Sequence, residues 1–123
     1  MSFPVTIKYV DVVVAINTSL SAAVDLAGYR LVGFNAPAAI EATTTNVSFT
    51  AAPSLAGTYN IVKPDGVKLT LPFAVNDYVT FSATTSMQMF GVRWVKLQLE
   101  TGAGVAVSQA TAARTFTLIL ETL

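Results

Sequence analysis

Two segments near the C-terminal end alternate between apolar and polar residues, and this alternation limits what the chain can fold into. They cover residues 94–100 and 115–121, with Ile119 as an apolar exception on the otherwise polar face. A period of two residues is typical of β-strands with one face on a core and one facing outward. We therefore predict a terminal hairpin whose core residues are Val95, Leu97, Leu99, Phe116, Leu118 and Leu120.

Short β-patterns separated by turn signals fill most of the remaining sequence. We predict strands over residues 5–16, 22–25, 29–35, 44–51, 58–62, 67–71 and 77–81. In residues 29–35 strict alternation would place Leu31 and Gly33 on one face. Pro64-Asp65-Gly66 predicts a hairpin turn between two of the strands, because glycine supplies a positive φ. Single helical turns are expected over residues 37–40 and 83–90, the second capping the core with Met87, Met89 and Phe90.

This layout predicts an all-β protein, a single jelly-roll-like β-sandwich of about eight short strands. A small closed barrel is the competing architecture. We divide the chain into an extended N-terminal strand or arm, residues 1–18, and a sandwich domain, residues 19–123. The arm is rich in β-branched residues and would favour aggregation if exposed, so its own sheet or another protein must cover it. Of these alternatives, we predict that the arm pairs outside its own sandwich.

The low content of charged residues is the informative part of the composition. Charged residues make up 11% of the chain, against about 25% in a typical soluble domain. Seven basic and seven acidic residues cancel, so no net field attracts nucleic acid or an anionic membrane surface. The apolar runs are also far shorter than the roughly 20 residues of a membrane-spanning helix. A surface poor in charge indicates partial cover by protein partners.

The sequence contains no constellation typical of catalysis. Cysteine and histidine are absent, and the seven acidic residues are scattered singly. We therefore predict a protein that is not an enzyme and that has no cofactor. Asn76 and Asp77, with Asp65, could contribute oxygen ligands to a calcium ion. Turn capping explains the same residues more simply, and we prefer it.

Interface candidates come from three parts of the chain. Trp94 shares a strand face with Lys96 and Gln98, where it could anchor an interface, pack internally or stack on a sugar. The loop of small residues over 101–114 is a second contact region, and the N-terminal strand is a third. The predicted interface residues are Tyr9, Val10, Val12, Val13, Val14, Trp94, Lys96, Gln98, Val105 and Val107.

Three segments together resemble short all-β proteins encoded among the head and structural genes of tailed bacteriophages. They are Ser19-Leu20-Ser21-Ala22-Ala23-Val24-Asp25-Leu26 continuing into Gly28-Tyr29-Arg30-Leu31-Val32-Gly33, then Phe90-Gly91-Val92-Arg93-Trp94-Val95-Lys96-Leu97, and Gln109-Ala110-Thr111-Ala112-Ala113-Arg114-Thr115-Phe116-Thr117-Leu118. Some of these phage proteins are capsid cement or decoration proteins. The resemblance begins only at Ser19, which also suggests that the arm is separate.

The resemblance implies a virion structural protein, made in the host cytoplasm and located on the capsid exterior. Its expected partners are the major capsid protein and copies of itself, so that it bridges neighbouring capsid subunits as a homo-oligomer. A tail, neck or fibre component is the alternative within the same class. A carbohydrate-binding β-sandwich module is the alternative from another class.

Overall fold

Nine strands form two antiparallel sheets in residues 5–123, which are the residues that the computed structural model describes. The strands are β1 Ile7–Val14, β2 Val24–Asp25, β3 Tyr29–Asn35, β4 Asn46–Ala52, β5 Asn60–Ile61, β6 Thr70–Pro72, β7 Tyr78–Thr80, β8 Trp94–Glu100 and β9 Arg114–Thr122. Pro64–Gly66 forms a 3-10 turn and Ala83–Gln88 forms the helix α1. The all-β, two-sheet prediction is confirmed. Within the described residues, no helix is long and apolar enough to cross a membrane.

The strand pairings are nested along the chain. In the first sheet the order is β1-β9-β3-β7, and in the second it is β2-β8-β4, with β5 and β6 both on the far side of β4. The first strand therefore pairs with the last, the second with the one before the last, and the third with β7. As a result β9 and β8 lie inside their sheets, where their alternation places one side on the shared core.

The predicted core residues of β8 and β9 are all buried, but the two strands do not form a hairpin. All six are at most 1% exposed. β8 pairs with β2 and β4, whereas β9 pairs with β1 and β3, so the two strands lie in different sheets. Periodicity fixes which face of a strand meets the core and leaves its neighbour undetermined. The hairpin prediction is therefore wrong, and the core residues are correct.

A β-bulge in β3 changes the faces that strict alternation predicts. Leu31 pairs with Leu120 and Gly33 with Ile119, so β3 has one extra residue between these two positions. The extra residue shifts the phase, and both Leu31 and Phe34 are fully buried in the core. The ring of Phe34 meets Phe73, Phe81 and Phe116 at centroid distances of 5.8–6.4 Å. The prediction that Leu31 and Gly33 lie on the same face of β3 is therefore wrong, because the bulge lies between them.

The Pro64-Asp65-Gly66 turn is present, but it does not connect a hairpin. Gly66 has φ of +80° and Asp65 has φ of +51°. β5 and β6 both pair with β4 in the same direction, at Thr50–Ala51 and at Asn46–Ser48. The turn thus lies in the loop that connects β5 to β6, two short strands along the same side of β4. The helical turn predicted over residues 37–40 is also absent, and that segment is irregular.

The N-terminal strand belongs to the chain's own first sheet. β1 pairs with β9 without interruption, from Ile7 opposite Glu121 to Val14 opposite Arg114. Its alternate residues Val12 and Val14 are buried in the core. The prediction that this strand pairs outside its own sandwich is therefore wrong, because β1 pairs with β9 of the same chain. Residues 1–4 of the predicted arm lie outside the described residues.

Candidate interaction surface

The outer face of the first sheet carries an apolar groove that α1 borders on one side. We call it the outer groove; its volume is about 730 Å³. Its apolar lining comes from both edge strands, from the middle of the sheet and from the end of α1. The residues concerned are Ile7, Tyr9, Val32, Tyr78, Phe81, Met87, Phe90 and Ile119.

Five of these side chains are exposed to solvent to an unusual degree for large apolar groups. Ile7, Tyr9, Tyr78, Met87 and Phe90 are each between 45% and 59% exposed. Single exposed apolar residues are common on proteins, whereas several that line one groove indicate a binding surface. The outer groove is therefore the strongest candidate site on the described surface.

The floor of the groove is built around the same bulge that shapes β3. Val32 is the extra residue and points outward, and Gly33 follows it. A side chain at Gly33 would collide with the backbone, because an added Cβ would lie 2.3 Å from the carbonyl oxygen of Val79 and 3.3 Å from Cδ1 of Ile119. Glycine thus lets β7 approach β3 closely and leaves room for Ile119, which is only 4% exposed.

Two tyrosines from opposite edges of the sheet meet over the groove. Tyr9 is on β1 and Tyr78 is on β7, and their hydroxyl oxygens are 3.4 Å apart. The hydrogen bond to Tyr9 raises the pKa of Tyr78 above its usual value. Since three strand spacings separate β1 from β7, both rings must lean inward across the sheet. They present phenol rings as part of the groove surface.

One ion pair supplies the charge in the groove. Arg30 on β3 and Glu121 on β9 are direct cross-strand neighbours, and Nη2 of Arg30 is 2.7 Å from Oε1 of Glu121. Nε of Arg30 is buried and has no hydrogen-bond partner among the described residues. Because the two charges cancel locally, the groove has no net charge to attract an ionic ligand.

The rim formed by α1 is fixed by its N-terminal cap. Ser82 Oγ accepts a hydrogen bond from the backbone N–H of Thr85 at 3.2 Å, which satisfies one of the free donors of the first turn. At the other end, Met89 turns inward and is 2% exposed, while Met87 and Phe90 remain exposed. The prediction that this segment caps the core is confirmed for Met89. It is wrong for Met87 and Phe90, because residues along a helical turn point to different sides.

The outer face of β8 is largely satisfied by contacts within the chain. Nζ of Lys96 lies 4.3 Å from the ring centroid of Tyr59, and Nε2 of Gln98 donates to Oε2 of Glu100 at 3.0 Å. Glu100 is fully buried and forms an ion pair with Lys68. Trp94 is half-buried beside this row. This face therefore offers a partner less free surface than the outer groove does.

The remaining predicted interface residues are divided between surface and interior. Tyr9 lines the outer groove and Val13 is exposed, but Val10 packs against the core. As described above, Val12 and Val14 point inward and are not available to a partner. In the 101–114 loop Val105 is exposed and Val107 is half-buried.

The carboxylates of Asp25 and Glu41 each hold a loop in place by hydrogen bonds. The hydrogen bonds from Arg93 (2.5 and 3.1 Å) lower the pKa of Asp25 below its usual value and raise the pKa of Arg93. Hydrogen bonds from Thr111 lower the pKa of Glu41. These contacts hold the segments around Arg93 and Thr111, so charge-assisted hydrogen bonds brace the loops before β8 and β9.

The oxygen-rich turn considered for calcium behaves as a capped turn. Oδ2 of Asp77 accepts a hydrogen bond from the backbone N–H of Ala74 at 2.8 Å, and Asn76 adopts a positive φ of +62°. Among residues 5–123, no three acidic side chains come together in a way that could hold a metal ion. Turn capping accounts for these residues.

Sequence reasoning found one groove residue, Tyr9, and missed the others. The sequence around Tyr78 and Ile7 does not show which face of the strand points outward, and the pattern around Phe90 predicts a core position. Ile119 carried the usable signal, because an apolar residue on the polar face of a central strand indicates that this face is covered or used.

Comparisons of the chain with protein-family models, curated proteins and solved structures gave no match.

Proposed function

We propose that the protein is a structural subunit of a tailed-bacteriophage virion, a capsid cement or decoration protein that binds the shell through the outer groove. The observation that carries the proposal is the exposed apolar lining of that groove on a chain with only 11% charged residues. The free energy falls when another protein covers such a surface and removes its apolar groups from water. The resemblance of three segments between residues 19 and 118 to phage structural proteins supports the choice of partner.

The nested strand order supports a jelly roll as the detailed architecture. β1 pairs with β9, β2 with β8 and β3 with β7. This order of pairing results when one long hairpin wraps into two facing sheets. Jelly rolls are used by viral capsid and lectin domains. The architecture is therefore compatible with the virion proposal and also with a sugar-binding one.

The mechanism is non-covalent and needs no cofactor. A subunit that contacts two neighbouring copies of the major capsid protein buries surface only when both are in place. Because it binds the assembled lattice better than free subunits, it stabilises the shell by linkage. We place it on the capsid exterior, where the outer groove would face the lattice.

Purified virions provide the test. The protein should co-purify with particles of the virus that encodes it at a copy number comparable to that of the capsid protein, and particles without it should release DNA at a lower temperature. A few copies per particle would favour the tail, neck or fibre alternative. Absence from particles would contradict the whole proposal.

A pair of double variants locates the binding surface on the same particles. Met87→Ser with Phe90→Ser removes two exposed apolar groups of the groove, so binding to depleted particles should be lost. Leu55→Ser with Val67→Ser removes groups that are 58% and 72% exposed elsewhere, and binding should persist. Equal binding by both variants would exclude the groove as the contact surface.

Carbohydrate binding is the second candidate, and the exposed rings of Tyr9, Tyr78 and Phe90 favour it. Aromatic rings that line a groove can stack on sugar faces. Binding to immobilised glycans that Tyr9→Ala and Tyr78→Ala abolish, combined with absence from virions, would select this function. Glycan binding that survives both substitutions would argue against the groove as a sugar site.

A further inference from the structure

The free edge of the first sheet is a second feature that the proposed function does not use. β1 is an edge strand of eight residues, and its register with β9 is uninterrupted. The backbone N–H of Thr122 donates to the carbonyl of Thr6 at 3.1 Å. Since hydrogen-bonded pairs alternate along an antiparallel ladder, the even-numbered residues of β1 point their backbone groups at β9. The odd-numbered residues point theirs away from the sheet.

Three residues of this edge have free backbone groups. Val13 is already used, because its carbonyl accepts a hydrogen bond from the N–H of Ala22 at 3.0 Å. For Ile7, Tyr9 and Asp11, the outward N–H and C=O groups have no backbone partner among residues 5–123. An edge of this kind is a template for pairing with another strand.

Two of the devices that commonly protect an edge strand, proline and a β-bulge, are missing from β1. Residues 7–14 contain no proline, and the ladder has no bulge that would twist the edge away. Its two charged side chains turn back onto their own sheet. Nζ of Lys8 lies 5.1 Å from the ring centroid of Tyr29, and Oδ1 of Asp11 accepts a hydrogen bond from Oγ1 of Thr117 at 2.7 Å. Neither charge is therefore directed across the edge to repel an incoming strand.

We infer that a second copy of this chain pairs with this edge, β1 against β1, in an antiparallel arrangement about a twofold axis at Tyr9. This register is the one in which the three free residues all pair with each other. Tyr9 faces the partner's Tyr9, and Ile7 faces the partner's Asp11. The three pairs would make six backbone hydrogen bonds and join the two first sheets into one.

Charge and space also select this register. Lys8 lies opposite the neutral Val10 of the partner, whereas a shift centred on Lys8 would place two lysines directly opposite each other, which is unfavourable. A cleft of about 420 Å³ lies beside the edge, between residues 10–13 and residues 22–25. The partner's Val5 and Thr6 would run toward this cleft. The self-pairing does not depend on what the assembled protein binds.

An introduced thiol tests both the pairing and its register, because the chain has no cysteine of its own. In the inferred dimer the two residues at position 9 are a hydrogen-bonded pair with Cα atoms about 5.5 Å apart, which suits a disulfide. We expect Tyr9→Cys to form a covalent dimer under mild oxidation. Ile7→Cys is the matched control, since four residues of offset separate the two copies by about 14 Å, and it should remain mostly monomeric.

Sedimentation equilibrium of the full chain supplies the independent measurement. The wild-type protein should sediment at twice the monomer mass, and Tyr9→Pro should sediment at the monomer mass. The proline removes an outward N–H and leaves the ladder with β9 intact, so circular dichroism should stay that of the folded protein. A monomeric wild type, a Tyr9→Pro variant that still dimerises, or equal crosslinking by the two cysteine variants would each overturn the inference.

Discussion

Replacing Gly33 by alanine tests whether the close approach of β7 to β3 shapes the first sheet. An alanine Cβ would lie 2.3 Å from the carbonyl oxygen of Val79 and 3.3 Å from Cα of Thr80. Ordinary contact begins near 3.4 Å, so β7 would have to move by about 1 Å, a distance that packed structure resists. A flexible side chain could rotate out of the way, but both of these atoms belong to the backbone.

The size of the effect follows from how β7 is held. Three residue pairs join β7 to β3, Gly33–Thr80, Phe34–Val79 and Asn35–Tyr78. One backbone hydrogen bond extends this ladder at each end, from Phe81 to Val32 and from Ala36 to Asp77. Overpacking of this kind costs about 1–3 kcal/mol. If β7 separates instead, each lost backbone hydrogen bond costs about 0.5–1.5 kcal/mol. We therefore expect Gly33→Ala to lower the free energy of unfolding by about 2–4 kcal/mol.

Urea denaturation measures this change, and Gly102→Ala is the control. An added Cβ at Gly102 would meet only Oγ1 of Thr45, at 3.6 Å. That substitution should be neutral or should stabilise the protein by up to about 1 kcal/mol, because alanine restricts the unfolded chain. With the slope m unchanged, only Gly33→Ala should lower the midpoint. Equal midpoints for the two variants would refute the close approach and, with it, the described position of β7.

Three further predictions address the core, the buried ion pair and the acid response. Leu97→Ala and Phe116→Ala should each lower the free energy of unfolding by about 2–5 kcal/mol, and unchanged denaturation midpoints would contradict their place in the core. Lys68→Met should destabilise by about 3–5 kcal/mol because it leaves the buried Glu100 without its cation, and recovery in a double variant with Glu100→Met would identify the stranded charge as the cause. The pKa of Asp25 is lower in the folded state than its usual 3.8, so its contribution to stability is present above that pH and is lost as the pH falls further. Asp25→Asn should therefore flatten the fall in melting temperature on acidification, and an unchanged acid profile would show that this carboxylate is not involved.

The alternation of apolar residues predicted the core well because burial depends on a strand's own pattern. Period two identifies the inward residues of β8 and β9, and each of them is at most 1% exposed. Sheet membership was not predictable in the same way. Whether β9 pairs with β8 or with β1 depends on contacts between distant residues, and either choice buries the same face.

The bulge and the groove show where local patterns stop being informative. Strict alternation in residues 29–35 misassigned Gly33 and Phe34, since one inserted residue reverses every face that follows it. Met87 and Phe90 have the composition of a core segment, and their exposure depends on where a single helical turn ends. An interaction surface built from apolar residues has the same composition as a core, so sequence alone does not separate the two.

The place of β9 in the fold has a consequence for how the protein is synthesised. β9 follows the other eight described strands in the sequence, yet it lies in the middle of the first sheet, between β1 and β3. Until Arg114–Thr122 has left the ribosome, the partners of this strand have no central neighbour to pair with, and β1 remains an unpaired apolar segment. Folding of this half of the sandwich therefore has to wait until residues 114–122 have been synthesised, and such long-range closure is slow. A nascent chain stalled before residue 114 would expose an aggregation-prone strand, so it would depend on chaperones to remain in solution.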